Sequence, residues 1–494
     1  MTPRPHCHEL HTVDQVRALD RRAIEALDIP GIELMRRAAA AAFASLQRHW
    51  PQARRIAVYC GPGNNGGDGF LLGALALQEG YQVMLFALSG EARGDAATAR
   101  VRFEEAGGQV QVWSAVTGLP VADVHVDALY GTGLARAPEP AVADLLWRLN
   151  AGGEPILALD VPSGLNADTG QCPGEAIKAD VTVSFIAHKR GLHTGQAADR
   201  VGVLELDTLD LPEELWDGTA PDAELLHAAT LPPRPRHAHK GSNGHVLAIG
   251  GDLGTAGAIR MSGEAALRAG AGLVSVATRE ANLTALNSAR PELMAHGVDG
   301  PQSLQPLLQR ADVLALGPGL GQGAWGHALW LTALDMAMPT VLDADGLNLL
   351  AREPRVFEAA TVITPHPGEA ARLLESSVAE IEADRYAAVR ALARKYGAVA
   401  VLKGAGSLIA DPHGRVAVCP WGNPGMATGG MGDLLTGIVA ALLAQGCEAW
   451  EAACLGVGLH ARAGDAAAAD GGERGLMATD LLAPLRRLLN GLDA

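Results

Sequence analysis

Short apolar segments that end in glycine-bearing phrases recur along the chain, and they constrain its fold more than any other feature. Residues 55–60 and 124–130 have the length and composition of buried strands, and apolar helical segments follow several such strands. Strands that alternate with helices in this way form doubly wound layers around a parallel sheet. Because the chain has 494 residues, 48% of them hydrophobic, it is long enough for more than one core. We therefore expect an α/β protein with two doubly wound three-layer domains.

A proline-rich stretch near the middle of the chain predicts the boundary between these domains. Proline recurs at positions 212, 221, 232, 233 and 235, and residues 208–236 show no strand pattern, so we expect a linker there. After it the pattern of strand, glycine turn and helix begins again with different loops, so the second half is not a sequence repeat of the first. We place the domains at residues 1–225 and 226–494.

One stretch of the second half combines glycines with a carboxylate. Residues 423–437 have the sequence Asn-Pro-Gly-Met-Ala-Thr-Gly-Gly-Met-Gly-Asp-Leu-Leu-Thr-Gly, and an apolar helical run follows. A glycine-rich turn before a helix presents free backbone N–H groups and the positive end of the helix dipole, which together bind anions such as phosphate. Asp433 at the mouth of such a site could accept a proton or hold a metal ion, or it could simply cap the helix.

Polar or glycine residues follow four predicted strands of the first half. They occupy residues 61–69, 127–133, 160–164 and 187–191. Because sites of open α/β sheets form outside the carboxyl ends of strands, this convergence predicts a binding site. We expect residues 61–70 to form a loop before a helix at 71–79, with amides Asn64 and Asn65 suited to a ribose, a phosphate or a monovalent cation.

Composition excludes several classes of function. A net charge of −16 argues against nucleic acid or an anionic membrane as a main partner. The six cysteines include no Cys-x-x-Cys pair, and no signal sequence or run of about 20 apolar residues is present. The terminal residues His6, Cys7, His8 and His11 could imitate a metal site, but a frayed tail is the simpler interpretation. We expect a cytoplasmic enzyme that forms a homo-oligomer.

The strand-end phrases of the first half, above all Asn-Asn-Gly-Gly-Asp at 64–68, resemble those of the NAD(P)H-hydrate epimerase domain, which is Rossmann-like. The resemblance covers roughly residues 10–215. It implies a potassium ion held by Asn65, Asp127 and Ser163, and we expect Asp160 to handle protons, with help from Lys189. The substrate-binding residues that it implies are Asn64, Asn65, Gly66, Gly67, Asp68, Gly131, Thr132, Gly133, Leu134, Ala135, Arg136, Ala137 and Asp160.

Four phrases of the second half are Gly-Pro-Gly-Leu-Gly at 317–321, His-Pro-Gly-Glu at 366–369, Lys-Gly-Ala-Gly-Ser at 403–407 and Gly-Gly-Met-Gly-Asp at 429–433. Their order resembles that of the ADP-dependent NAD(P)H-hydrate dehydratases, a branch of the ribokinase-like superfamily. The resemblance covers roughly residues 230–490. Taken alone, His366 would be interpreted as a turn residue and Glu369 as a helix cap. The resemblance implies that Ala258, Gly319, His366 and Asp433 bind substrate, and that Lys403, Gly404, Ala405, Gly406, Ser407 and Gly432 bind the nucleotide.

Together the resemblances imply a bifunctional repair enzyme. Its substrates would be NADHX and NADPHX, the R and S hydrates of NADH and NADPH. The first domain would interconvert the epimers, and the second would dehydrate the S form with ADP or ATP and Mg²⁺ through a phosphorylated intermediate, with Asp433 as the base. Two alternatives stay open: a kinase for a small hydroxymethyl heterocycle in the second half, and a nucleotide-binding scaffold module without turnover in the first.

Overall fold

The structure of the protein is a computed structural model that describes residues 7–89, 91–114, 118–132 and 136–492. The chain divides into two compact units, residues 1–224 and 225–494. Each unit is built around its own sheet.

The first unit contains helices and strands in alternation. In chain order, up to the boundary, they are β1 (Glu9–His11), α1 (Val13–Ala26), α2 (Gly31–His49), β2 (Arg55–Cys60), α3 (Asn64–Gln78), β3 (Gln82–Ala87), α4 (Asp95–Glu105), β4 (Val110–Val112), β5 (Val124–Ala128), α5 (Pro140–Gly152), β6 (Ile156–Leu159), β7 (Val181–Phe185), β8 (His188–Lys189), β9 (Val203–Asp207) and β10 (Ala223–Leu225).

Within the described residues, seven strands of the first unit form a parallel sheet in the order β4-β3-β2-β5-β6-β7-β9. From β2 the chain proceeds to one edge of the sheet through β3 and β4, and from β5 it proceeds to the other edge. The strand order therefore reverses between β2 and β5, where Tyr59 pairs with Asp127. A crevice forms at such a switch point, outside the carboxyl ends of the two strands.

Both faces of this sheet are covered, as a parallel sheet requires. Alternate residues of β2 belong to different cores: Val58 packs in a core that includes residues of α1 to α4, and Tyr59 packs on the opposite face with residues of α5. The period-two alternation of a strand thus explains why β2 is apolar on both faces.

The glycines at residues 61–69 do not form the long loop that the sequence predicted, because α3 already begins at Asn64. A Cβ atom at Gly66 would lie 1.9 Å from the carbonyl oxygen of Gly61, and one at Gly69 would lie 2.6 Å from the Cβ atom of Ala128. These glycines are needed because α3 approaches the sheet closely. The local composition of residues 61–69 suggested a turn, but close packing against the sheet favours a helix from Asn64 onward.

Two further expectations from the sequence are wrong. The segment expected to be a frayed tail contains β1, and the side chain of His11 is fully buried; His6 lies outside the described residues. The expected strand-free linker contains β10, which pairs with β1 through Glu9 and Glu224. Each strand has only three residues, so it depends on its pairing partner for stability. It is also too short to show an alternation of apolar and polar residues in the sequence.

The second unit has the same alternation. Its helices and strands are β11 (His245–Ile249), α6 (Ala256–Arg268), β12 (Leu273–Thr278), α7 (Leu283–Ala289), β13 (Met294–Gly297), α8 (Pro301–Leu308), β14 (Val313–Leu316), α9 (Ala324–Leu334), β15 (Thr340–Leu342), α10 (Asp345–Arg352), β16 (Thr361–Ile363), α11 (Pro367–Leu374), α12 (Val378–Ala383), α13 (Arg385–Tyr396), β17 (Val399–Leu402), β18 (Leu408–Ala410), β19 (Val416–Val418), α14 (Met431–Ala444), α15 (Ala449–Gly471) and α16 (Leu482–Leu489).

The sheet of the second unit runs in the order β13-β12-β11-β14-β15-β16-β17-β18-β19. Strands β13 to β17 are parallel, and β18 and β19 continue the sheet as antiparallel strands. Its order reverses between β11 and β14. The two sheets confirm the predicted α/β class with doubly wound domains.

Helix α14 lies in the core of the second unit. Most of its residues are buried, including the apolar run from Leu434 to Leu443, and it packs between α6 and α15. The helix is apolar on nearly every side because it is surrounded by protein. Its first turn is thereby held firmly at the carboxyl ends of the strands. Among the described residues, no helix is both long and apolar enough to cross a membrane.

Candidate active sites

A cavity of about 480 Å³ opens at the switch point of the first unit. Residues of α1 and α3 and of the strand ends line it. The predicted residues that the structure brings together there are Asn64, Asn65, Asp68, Gly131, Thr132 and Asp160. Four charged residues that the sequence analysis did not assign to substrate line the same cavity: Arg17, Asp20, Asp95 and Lys189.

Other predicted residues lie elsewhere. Gly66 and Gly67 are buried in the contacts of α3, where a Cβ atom at Gly67 would lie 2.4 Å from the sulfur of Met35. Arg136 and Ala137 are exposed and do not line the cavity. Gly133, Leu134 and Ala135 lie outside the described residues.

Asp160 is aimed into the cavity by an unusual backbone and by a buried lysine. It adopts a φ of 65°, in the left-handed region that residues other than glycine rarely occupy. Lys189 is 1% exposed, and its ammonium donates to Asp160 Oδ1, to Ser184 Oγ at 3.0 Å and to the Phe185 carbonyl at 2.8 Å. Since all three ammonium protons are used, Lys189 cannot turn away, and Asp160 is held in place beside it.

Carboxyl groups outnumber cations in this cavity. Burial raises the pKa of Asp68 well above its ordinary value, and the charges of Asp160 and Asp20 raise it further. Burial and Asp160 likewise raise the pKa of Asp20. Only Asp160 has the ammonium of Lys189 as a direct partner among the described carboxylates of the cavity. The pocket therefore contains one carboxylate with a direct cationic partner and two carboxyl groups, those of Asp20 and Asp68, whose pKa is raised.

Asn65, Asp127 and Ser163, the predicted potassium ligands, offer oxygen atoms in buried positions. Ser163 donates from its backbone N–H to Asp127 Oδ2 at 2.7 Å and from its hydroxyl to Asp127 Oδ1 at 2.6 Å. Burial raises the pKa of Asp127 to about 6 despite these bonds. The carboxamide of Asn65 is buried and has no hydrogen-bond partner among the residues that the structure describes. An unsatisfied buried amide oxygen fits a cation or substrate atom as its missing partner.

In the second unit, the glycine phrase opens directly into α14. Gly430 is the N-cap residue, with a φ of 94°, so the interpretation of Asp433 as the helix cap is wrong. Asp433 lies in the first turn, where the free N–H groups and the dipole favour an anion. Burial raises the pKa of Asp433 to about 7; the nearby charge of Asp343 adds to the rise and that of Lys403 opposes it.

The half-buried Lys403 and the buried Asp343 form an ion pair beneath this first turn. The ammonium of Lys403 donates to Asp343 Oδ1 at 2.8 Å, and Thr436 donates to Asp343 Oδ2 at 2.9 Å. A Cβ atom at Gly432 would lie 3.1 Å from the Lys403 ammonium and 3.2 Å from Asp343. Glycine at 432 therefore lets the helix start lie directly against the ion pair.

His366 and Glu369 form the N-terminal cap of α11; the sequence suggested a cap for Glu369, whereas His366 taken alone suggested only a turn residue. The His366 N–H donates to Glu369 Oε2 at 2.8 Å, and the Gly368 N–H donates to His366 Nδ1 at 3.0 Å. They nevertheless adjoin the ion pair, because Glu369 Oε2 lies 3.8 Å from the Lys403 ammonium. Burial raises the pKa of Glu369 to about 7, against the lowering effect of Lys403.

The phrase from Lys403 to Ser407 forms a tight turn. The Gly404 N–H donates to Ser407 Oγ at 3.2 Å, and the Ser407 hydroxyl donates to the Gly404 carbonyl at 2.9 Å. Gly404 has a φ of 143°, and a Cβ atom there would lie 2.9 Å from the guanidinium of Arg385. Arg385 is 1% exposed and donates to the Lys403 carbonyl at 3.2 Å, so it supports the turn from beneath. Ala405 and Gly406 complete the turn.

Ala258 and Gly319 meet at the switch point of the second sheet. Thr255 joins them, since its hydroxyl donates to the Gly319 carbonyl at 2.8 Å and its carbonyl accepts from the Ala258 N–H at 3.2 Å. One turn along α6 from Ala258, Met261 approaches the glycine phrase: a Cβ atom at Gly430 would lie 2.7 Å from its sulfur. The predicted substrate and nucleotide residues thus border one region of the unit.

Sequence reasoning missed the roles of Asp343, Thr436 and Arg385. Asp343 directly follows β15, so the rule that sites form at strand ends could have found it. Thr436 lies in a helix and Arg385 in a separate one, and no local pattern distinguishes either from an ordinary helical residue.

Comparisons with known proteins agree with both resemblances. A family profile described as NAD(P)H-hydrate dehydratase matches residues 246–487, and one described as YjeF-related protein N-terminus matches residues 31–191. The chain is 46% identical to the bifunctional NAD(P)H-hydrate repair enzyme of Coxiella burnetii, over 96% of this chain and 98% of that protein. It is also 46% identical to the enzyme of the same name from Escherichia coli, over 98% and 94%.

Among solved structures, an ADP/ATP-dependent NAD(P)H-hydrate dehydratase from Bacillus subtilis, co-crystallised with ATP and Mg²⁺, is 28% identical. The match covers 53% of this chain and 95% of that chain, with a TM-score of 0.48.

Proposed function

The chain belongs to the family of bifunctional NAD(P)H-hydrate repair enzymes, and we propose that it repairs hydrated nicotinamide nucleotides at the two sites described above. The first site interconverts the R and S hydrates, and the second dehydrates the S form to NAD(P)H at the expense of ADP or ATP. The observation that carries the proposal is the position of Asp433 in the first turn of α14, close enough to the Lys403 ammonium for their charges to interact. The N–H groups of that turn and the ammonium can bind a phosphate there, and the carboxylate of Asp433 can accept a proton.

In the second site, Asp433 accepts the proton of the C6 hydroxyl of the hydrated ring. The hydroxyl oxygen then bonds to the terminal phosphorus of the nucleotide as the bond to the remaining nucleotide phosphate breaks. The N–H groups at the start of α14 and the Lys403 ammonium offset the charge on the phosphate. The C6–O bond then breaks and phosphate leaves with its electron pair, C5 loses a proton to water, and the electrons of that C–H bond form the C5=C6 double bond of the restored dihydronicotinamide. Ala258, Gly319 and His366 contact the hydrate, and the turn from Lys403 to Ser407 binds the nucleotide.

Magnesium accompanies the nucleotide in this proposal. The described residues contain no cluster of three His, Cys, Asp or Glu side chains that could hold a metal ion. A magnesium ion retains several water molecules and binds mainly through phosphate oxygens, so it fits a site without such a cluster. When bound, it neutralises charge on the phosphates.

In the first site, Asp160 handles the proton during inversion at the same carbon. The strained backbone of Asp160 and its partner Lys189 support this role, because they fix a carboxylate at the wall of the cavity. We assign potassium to the oxygens of Asn65, Asp127 and Ser163; the unpartnered carboxamide of Asn65 supports that assignment. A potassium ion there would supply a fixed positive charge.

The two activities are separable by matched variants of the full chain. Each hydrate is incubated with ADP or with ATP while the absorbance of the dihydronicotinamide is followed, and epimer exchange is followed by NMR. Asp433→Asn should slow recovery of absorbance by about 10²–10⁴-fold and leave epimer exchange intact. Asp160→Asn should abolish epimer exchange and leave recovery of absorbance intact for the S form, so that only the S form is repaired quickly. Loss of both activities in both variants would contradict the assignment of one activity to each site.

The alternative of a hydroxymethyl-heterocycle kinase with a scaffold module is less well supported, since relatives that match nearly the whole chain are repair enzymes. Accumulation of a stable phosphorylated product would establish a kinase. Cytoplasmic location and homo-oligomer formation stay predictions from the sequence.

A further inference from the structure

Asp343 occupies the meeting point of the elements that form the second site. It follows β15 directly and is 2% exposed. One of its carboxylate oxygens binds the Lys403 ammonium, which follows β17, and the other binds the hydroxyl of Thr436, in the second turn of α14. The hydroxyl oxygen of Thr436 also lies 3.0 Å from the carbonyl oxygen of Gly432, which is in the first turn of α14. A single buried carboxylate thus connects the phosphate-binding helix with the lysine.

We propose that Asp343 is a positioning residue for the dehydration reaction: its carboxylate fixes the Lys403 ammonium against the first turn of α14 and prevents that ammonium from pairing with Asp433. The inference rests on the proposed function and adds a residue to it. Because Asp343 is 2% exposed and both of its carboxylate oxygens are bonded within the protein, it acts through Lys403 and Thr436.

Competition for the lysine makes this positioning necessary. One ammonium, that of Lys403, faces three carboxyl groups: Asp343 at 2.8 Å, Glu369 at 3.8 Å, and Asp433, whose charge also acts on it. If the lysine paired with Asp433, the base would be held in its ionised form by a close cation and would accept a proton poorly. Asp343 takes the lysine because it is the most deeply buried of the three and needs a partner most.

The charges are consistent with this division. Burial alone would raise the pKa of Asp343, yet Lys403 and the hydrogen bonds lower it below its ordinary value, so Asp343 stays ionised. Burial would lower the pKa of Lys403, but the charges of Asp343 and Glu369 raise it. Among the described residues, two further titratable groups act on Lys403 electrostatically, His366 and His460. Burial lowers the pKa of both, that of His460 to about 4, so both are neutral near pH 7.

The test is the pH dependence of dehydration in Asp343→Asn, which keeps the size of the side chain and removes its charge. Without that charge, the pKa of Asp433 loses a raising influence and the freed Lys403 moves toward it, so both effects lower that pKa. We expect kcat to fall roughly 10²-fold, because a misplaced group costs about that much. We also expect the acid limb of kcat/KM to move to lower pH by about one unit.

Three further variants separate positioning from a purely structural role. Thr436→Val removes the hydrogen bond between Asp343 and α14 but removes no charge, so kcat should fall while the acid limb of kcat/KM stays in place. Thr436→Ser keeps the hydroxyl and should restore kcat. Asp335→Asn removes an exposed carboxylate that pairs with Arg355 on the surface, and it should change neither quantity. Thermal unfolding of each variant reports whether the fold is intact.

A binding measurement decides the inference even if turnover fails. ADP is titrated calorimetrically into the full chain in two buffers with different heats of ionisation, which gives the number of protons taken up. Near pH 7 the wild-type protein should take up protons, and Asp343→Asn should take up fewer. Equal proton uptake, an unmoved acid limb in a folded Asp343→Asn variant, or the absence of ADP binding would overturn the inference. Wild-type protein that binds ADP but repairs no hydrate would instead overturn the proposed function.

Discussion

The raised pKa of Asp433 predicts an unusual pH dependence for dehydration. In the proposed reaction Asp433 must be ionised to accept a proton, so a pKa of about 7 instead of 3.8 makes its ionised form scarce in mild acid. The ionised share of such a group is about one tenth at pH 6 and about nine tenths at pH 8. We therefore expect kcat/KM to rise about tenfold between these values. An aspartate with its ordinary pKa would be fully ionised at both, and the profile would be flat.

The assay uses the S hydrate, so that epimerisation does not limit the rate, at nucleotide concentrations well below KM. Under those conditions kcat/KM reports groups of the free protein. Glu369 also has a pKa raised to about 7, so Glu369→Gln shows which carboxyl group causes the limb. In Asp433→Asn, turnover should fall by about 10²–10⁴-fold and the residual rate should lose the limb.

Two results would refute this reasoning. A flat profile between pH 6 and pH 8 in the wild-type protein would mean that burial does not suppress ionisation of Asp433. A limb that disappears in Glu369→Gln but persists in Asp433→Asn would assign the titration to Glu369. Nucleotide binding by Asp433→Asn, measured separately, shows that the variant still forms its complex.

Three further predictions concern other parts of the two sites. In Gly432→Ala, the new methyl group would lie 3.1 Å from the Lys403 ammonium, so the ion pair must shift and kcat should fall roughly 10²-fold, while Gly429→Ala, where a Cβ atom meets nothing within 4 Å, serves as the control. Lys189→Met leaves Asp160 without its partner, and epimer exchange measured by NMR should slow at least tenfold, with partial rescue in Lys189→Arg. Asn65→Leu should abolish any stimulation of epimerisation by potassium over sodium, because it removes the unpartnered amide; equal stimulation in the variant would exclude Asn65 as a ligand.

The fold could be predicted because its signals are local. Apolar segments such as β2 and β5 show buried strands, glycines mark their ends, and the alternation with helices implies parallel sheets. Prediction failed where a short strand depends on its partner, as for β1 and β10, and where glycine serves close packing, as at Gly66. In those places the deciding contact is distant in sequence.

The sequence by itself determined the two doubly wound units and the strand ends where their sites lie, since periodicity and glycine act within a few residues. Only the tertiary structure decided which side chains meet: Asp343 and Lys403 are 60 residues apart in sequence, and Asp343 and Thr436 are 93 apart. Only the tertiary structure also buries Asp433 beside them and raises its pKa. The physical reason is that charge interactions and desolvation depend on distance in space and on exclusion of water, and neither is encoded in the neighbouring residues.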